Sequence, residues 1–187
     1  MRRALALATV LAVLGGCSDR PAMRSYVLGD PSWRPDAASP ETGRAVVELR
    51  RVSIPDYLDT TDMVRRVGDN EILPSPTGRW GERLSLGLTD SLAAALARHR
   101  PNLAVTTMSS TSQGRRVFVR MDAIDMDNSG QCRVVASWRV TGGVGLRTGR
   151  ATFAETASAS DDAAMAAVLT QVMDQLAGQI ATTLDGE

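Results

Sequence analysis

The chain has 187 residues, with 21 basic and 21 acidic side chains and therefore no formal net charge. A surface balanced in this way offers no overall field to draw in a polyanion, which argues against a nucleic-acid partner. Two cysteines and a single histidine cannot assemble the usual thiolate and imidazole ligands of zinc or a redox metal, so no metal site is expected.

The amino terminus reads as charge, then grease, then small residues. Arg2 and Arg3 precede an apolar run over residues 4–14 whose one polar member is Thr9, and Gly15 and Gly16 lead into Cys17. The run is about half the roughly 20 residues a spanning helix needs, so residues 1–16 read as a signal peptide. Leu14-Gly15-Gly16-Cys17 resembles a lipobox. That resemblance implies cleavage between Gly16 and Cys17, a diacylglycerol thioether on the Cys17 sulfur, and acylation of the new amino terminus; no other cofactor is expected. Several acyl chains, each methylene worth about 0.8 kcal/mol on burial, would hold the protein on a bilayer without a transmembrane helix. Ser18, not aspartate, follows the cysteine, and this implies outer-membrane sorting over inner-membrane retention. With Cys17 lipidated, Cys132 has no partner and no intrachain disulfide is expected.

Residues 17–43 contain Pro21, Pro31, Pro35 and Pro40 among Ser, Asp, Ala and Gly, the composition of a flexible tether. Tyr26-Val27-Leu28 interrupts it as a short apolar triplet with the character of an edge strand. A single domain over residues 44–187 follows. Strands are expected at 45–54, ended by Pro55, and in a hairpin of 63–67 and 71–73 turned by Gly68-Asp69-Asn70. Leu84, Leu88, Leu92, Ala95, Leu96 and His99 recur at helical spacing within 81–98, which Pro101 closes. A strand over 103–108 precedes three more at 115–126, 131–141 and 146–157, an antiparallel meander. In the second of these, Cys132, Val134, Ala136, Trp138 and Val140 alternate with Arg133, Ser137 and Arg139, so one face, Cys132 included, is core. Ser160, with Asp161 and Asp162 behind it, suits a helix start. Met165, Leu169, Val172, Leu176, Ile180 and Leu184 then give a closing amphipathic helix. The sum is an α/β fold with a mixed, largely antiparallel sheet packed by two amphipathic helices.

Three motifs invite chemistry and are better read as structure. Asp125 to Gly130 imitates the start of a calcium loop, yet Ala136 stands where that loop needs a bidentate glutamate, so it reads as a hairpin turn. Gly142-Gly143-Val144-Gly145 joins two strands and opens no helix, so it is a turn and not a phosphate cradle. His99 closes a helix with no nucleophile placed beside it, and no nucleophile, base and orienting acid can be picked out; the chain is not expected to be an enzyme.

The most specific stretch is Ile54-Pro55-Asp56-Tyr57-Leu58-Asp59, followed by Met63-Val64-Arg65-Arg66 and Arg79-Trp80-Gly81-Glu82-Arg83-Leu84. With the lipobox and Tyr26-Val27-Leu28, it resembles the auxiliary lipoproteins of ABC-type intermembrane transport systems, the paraquat-inducible protein C family. The resemblance implies an outer-membrane, periplasm-facing accessory subunit. Its partner would be an MCE-domain protein that moves phospholipid or related amphiphiles, and its fold would be similar to the amino-terminal domain of TolB. Tyr57, Leu58, Arg79 and Trp80 then have two readings. They pack the loop onto the helix start, with Arg79 pairing to Asp56, Asp59 or Glu82, or they form part of the surface that meets the MCE partner, being types enriched in binding hot spots. A second functional reading is a periplasmic lipid carrier with an acyl-chain cavity between sheet and helices. The anchor itself is testable in living cells: labelled palmitate should enter the intact chain and not a Cys17→Ala variant, and a freely soluble, unlabelled product from the intact gene would end the lipoprotein reading.

Overall fold

Residues 22–29, 44–109, 114–143 and 145–185 are described in a computed structural model. Their elements are β1 (Arg24–Tyr26), β2 (Ala45–Leu49), a 3-10 turn (Asp56–Leu58), β3 (Asp62–Val67), β4 (Glu71–Trp80), α1 (Leu84–His99), β5 (Leu103–Thr106), β6 (Arg115–Met126), β7 (Gln131–Thr141), β8 (Arg147–Thr156) and α2 (Asp162–Asp185). The strands form two sheets. The larger has the order β5-β2-β6-β7-β8 and the smaller β1-β4-β3. The meander β6-β7-β8 is antiparallel throughout, whereas β2 runs parallel to both β5 and β6. The α/β class and the two helices are as the sequence implies; the division into two sheets is not.

Two local irregularities explain where strand lengths depart from expectation. β2 ends at Leu49, not at residue 54, because its register against β6 slips. Leu49 lies opposite Val117 and Ser53 opposite Arg120, so four steps on one strand match three on the other. The chain still tracks β6, with Arg50 N donating to Val117 O (2.9 Å) and Ser53 N to Val119 O (3.0 Å). β4 runs ten residues, well past 73. Pro74 and Pro76 argue against a strand there, but Val64 faces Pro74 while Asp62 faces Arg79. Two steps of β3 therefore span five of β4, and the surplus bows out as a bulge in which a missing N–H costs no ladder bond. At the amino end, Tyr26 belongs to the folded body: β1 adds to β4 in parallel, Leu28 is buried, and Gly29 N donates to Thr170 Oγ1 at 3.2 Å. Residues 24–29, within the span expected as a tether, are therefore part of the folded body.

Both helices pack on one face of the large sheet, α2 against β7 and β8 and α1 against β5, with the helices also touching each other. The apolar stripes foreseen at three- and four-residue intervals are the buried ones. Leu88, Leu92 and Leu96 of α1 and Leu169, Val172, Leu176 and Ile180 of α2 have no exposure, each large side chain worth roughly 1.5–3 kcal/mol of burial. Trp138 lies flat across Gly149 of β8, where any side chain would collide with the indole, and its Nε1 donates to Thr183 Oγ1 at 3.1 Å.

α2 begins with a different division of labour from the expected serine cap. Asp161 is the cap, its Oδ1 accepting from Ala164 N at 2.8 Å, while Ser160 offers its carbonyl to Arg65 Nη1 at 2.9 Å. Asp162, 6% exposed, turns inward. Its Oδ2 accepts from Ser75 Oγ and Thr77 Oγ1, both at 2.8 Å from within the β4 bulge, and its Oδ1 pairs with Arg65 Nη2 of β3 at 3.2 Å. Gly78 lies so close to this carboxylate that a Cβ there would strike it. Burial pushes the Asp162 carboxyl up, but the bonds from Ser75, Thr77 and Arg65, with the Arg65 charge, outweigh it and hold the group below its ordinary value.

A lowered native pKa contributes stability that is complete above the unfolded value, near 3.9, and disappears as pH falls through the native one. Asp162→Ala leaves the guanidinium of Arg65, itself 13% exposed, buried without its counter-charge. It should lower the unfolding free energy by about 3–5 kcal/mol in urea titrations at neutral pH and remove this part of the acid sensitivity below pH 4. An unchanged midpoint would refute the clamp.

Candidate functional site

Gly16 and Cys17, the expected cleavage and lipidation positions, lie outside the described residues. The four side chains considered for a partner surface separate into two pairs. Tyr57 is 46% exposed and Arg79 is also exposed, but Leu58 and Trp80 are each 3% exposed and belong to the core. Of the two readings, packing describes Leu58 and Trp80, and a place on a partner surface is left to Tyr57 and Arg79, which corrects the partner-surface reading for the buried pair. Strand alternation is the reason: Trp80 closes β4 with its side chain inward, while Arg79 points outward.

The expected pairing of Arg79 is replaced by another. Asp59 accepts from Ser85 N at 3.3 Å, capping α1 from a distant loop, and its carboxylate pairs with Arg51 Nη2 and Arg83 Nη2, each at 3.4 Å. Burial raises the Asp59 carboxyl, and the Ser85 bonds with the charges of Arg83 and Arg51 more than reverse it. Arg83 makes no side-chain cap, so α1 starts at Leu84, where Leu84 N meets Thr60 O at 3.1 Å. Among the described residues Arg79 makes no ion pair.

The remaining motifs fall as structure. Asp127 Oδ1 accepts from Ser129 N (2.8 Å) and Gln131 N (3.0 Å) and so knots the β6–β7 turn, while Asp125 is engaged by Arg66 Nε at 2.8 Å. The glycine run from 142 lies between β7 and β8. His99 Nε2 stands 3.4 Å from Asp174 Oδ2 at the junction of the two helices. Cys132 is buried, its thiol pushed up to about 11 by desolvation and by the charges of Glu155 and Asp125, so it is inert in the folded protein.

The large sheet's outer face, away from the helices, carries a feature the sequence showed only in part. Phe118, Arg139 and Thr148 share one rung across β6, β7 and β8, and Arg120, Ser137 and Arg150 share the next outward-facing one. The Arg139 guanidinium sits 4.5 Å above the Phe118 ring centre. Arg120 Nε and Arg150 Nη2 flank Asp122 at 2.9 and 3.7 Å. Arg51, whose Nε and Nη2 donate to Ser85 Oγ at 2.9 and 2.6 Å, closes one side. Phe118, Arg120, Ser137, Arg139 and Thr148, with Arg51 and Ser53, line an open groove of about 520 Å³. Arg133, Ser137 and Arg139 are the polar face of β7 in the sequence pattern. The same alternation in Arg116, Phe118 and Arg120 of β6 is the signal that would have completed the picture.

Among the described residues the interior cavities are far smaller. The sheet–helix interface is filled by buried side chains, many of zero exposure. A cavity beside Val140 and Thr183 holds about 20 Å³ and one beneath Trp80 and Leu28 about 10 Å³, each room for about one water. The reading with an acyl-chain cavity between sheet and helices therefore finds no chamber among the described residues. Burial also sorts the loop side chains by experiment: Trp80→Ala should cost about 3–5 kcal/mol in urea unfolding, whereas Tyr57→Ala should stay within about 0.5 kcal/mol. Equal effects would contradict the packing described.

Comparison with known proteins places the chain. A crystal structure of an uncharacterized protein superposes with a TM-score of 0.73 at 17% identity, covering 89% of this chain and 100% of that one. A crystal structure of a Xanthomonas campestris protein of family DUF330 superposes with a TM-score of 0.58 at 16% identity, covering 87% and 94%. At such identities the likeness concerns the fold alone. No curated protein matches the chain in sequence. The family model described as the ABC-type transport auxiliary lipoprotein component matches residues 26–181, from the end of β1 into the last turns of α2. On a match of that extent, the chain belongs to the family of ABC-type transport auxiliary lipoprotein components.

Proposed function

We propose that the protein is an accessory subunit of an MCE-type ABC intermembrane lipid transport system, moored to the outer membrane by lipid on Cys17 and docking the MCE-domain protein on the periplasmic side. The observation that carries this reading is the family match over residues 26–181 behind a lipobox-like Leu14-Gly15-Gly16-Cys17. The family is one of transport components and not of enzymes, and its lipoprotein character places its members at a membrane. No described helix is long and apolar enough to cross one.

The mooring is short. Six residues separate Cys17 from Arg24 at the start of β1, a reach of at most about 25 Å for the seven steps of a fully extended chain. Such confinement keeps the folded body in a thin layer and raises its effective concentration for any partner that reaches that layer. Of the four side chains considered for a partner surface, Tyr57 and Arg79 are the exposed ones.

The test is capture from detergent extracts. Tagged protein with intact Cys17 should retain an MCE-domain protein, and Tyr57→Ala with Arg79→Ala should reduce that retention several-fold at an unchanged urea midpoint. Extracts in which the tagged chain never retains an MCE-domain protein would refute the docking role.

A further inference from the structure

We propose that the groove on the outer face of the large sheet binds the phosphate of an anionic lipid head group. Three observations carry it. The chain as a whole is electrically balanced, yet the groove is lined by Arg51, Arg120 and Arg139 with no carboxylate among its lining residues. The neighbouring acids are partly committed: Asp122 lies between Arg120 and Arg150, and Asp59 between Arg51 and Arg83. Arg139 has no carboxylate partner among the described residues and is held instead by the face of Phe118.

That contact matters chemically. A guanidinium held over a ring face is positioned without a carboxylate partner, and its N–H donors suit bidentate contact to phosphate oxygens. Arg120 lies diagonal to Arg139 across the β6–β7 pair, since Arg120 faces Ser137 and Phe118 faces Arg139. Diagonal neighbours are about 7–8 Å apart at the backbone, close enough for two long side chains to converge on one tetrahedral anion. Ser53, Ser137 and Thr148 add neutral hydroxyl donors, and the Phe118 ring adds an apolar wall for the glycerol part of a lipid. A groove of about 520 Å³ lies within the 300–1,000 Å³ common for small-ligand sites. Arg120, 72% exposed, and Arg51, 51% exposed, are open to an incoming ligand.

The anion chemistry stands on this geometry alone; its assignment to a lipid rests on the intermembrane transport reading. The experiment keeps the two apart by using the whole mature chain with Cys17→Ser, exported through a cleavable signal so that no anchor interferes. Dioctanoyl phosphatidylglycerol below its micellar concentration, inorganic phosphate and an octa-glutamate peptide are each titrated by calorimetry. Saturable binding of the lipid is expected, at least tenfold tighter than inorganic phosphate. Arg120→Gln with Arg139→Gln should weaken it at least tenfold, Arg139→Lys by an intermediate factor, and Arg98→Gln, whose partner Asp174 lies on the helical layer, not at all. Equal affinity for inorganic phosphate and the lipid would overturn the head-group assignment. Preference for the peptide, absence of binding, or binding indifferent to Arg120 and Arg139 would overturn the site. Each of these results is independent of whether an MCE-domain protein is captured from extracts.

Discussion

Asp162 is the point at which the small sheet and the last helix are locked together. Its carboxylate gathers Arg65 from β3, Ser75 and Thr77 from the β4 bulge, and the opening of α2, all within a site from which solvent is nearly excluded. A buried charge is tolerated only when its bonds are filled, and here both oxygens are engaged. The β4 bulge has a purpose in this light: a regular ladder from Pro74 to Arg79 would not carry Ser75 and Thr77 around the carboxylate, nor bring the bare backbone of Gly78 against it. The small sheet in turn holds β1, the described strand nearest the lipidation position expected at Cys17.

The same strands serve two purposes through their two faces. Inward residues of β6 and β7, such as Val117, Val119, Met121, Val134 and Trp138, are buried beneath the helices. Their outward neighbours, one residue away, set Arg116, Phe118, Arg120, Ser137 and Arg139 toward solvent. A chain with no net charge thus presents a locally basic surface, because charge cancels over the sequence while strand alternation sorts it in space. Glu48, 3% exposed, anchors one end of that face by pairing with Arg50 at 2.7 Å and Arg116 at 3.4 Å, while toward the other end Asp122 is shared by Arg120 and Arg150 and Arg139 has no carboxylate partner among the described residues.

Loop chemistry in this protein acts at a distance. Asp59 caps α1 across a gap of 26 residues, and Thr89 of that helix accepts from Val52 N at 2.9 Å, so the irregular end of β2 and the helix start support each other. The recognised Tyr-Leu and Arg-Trp pairs are each split between surface and core by this arrangement. Their sequence signature therefore records a packing solution, with Leu58 and Trp80 inside, as much as any surface for a partner.

The sequence by itself determined what depends on neighbouring residues. Period-two alternation set the meander and the burial of Cys132, stripes at three- and four-residue spacing set both helices, Gly68-Asp69-Asn70 and Asp127 to Gly130 set the hairpins, and the charge-grease-small order ahead of Cys17 set the expectation of an anchor. Tertiary structure alone decided what joins residues far apart: the division into two sheets, the extension of β4 through two prolines, the inward turn of Trp80, the cap from Asp59, the clamp at Asp162 and the convergence of Arg51, Arg120 and Arg139. Local pattern records which face of an element is apolar, but two sheets and two helices can be brought together in many ways that satisfy the same pattern. The choice among them is made by long-range hydrogen bonds and ion pairs whose partners carry no mark in the sequence until the chain has closed upon itself.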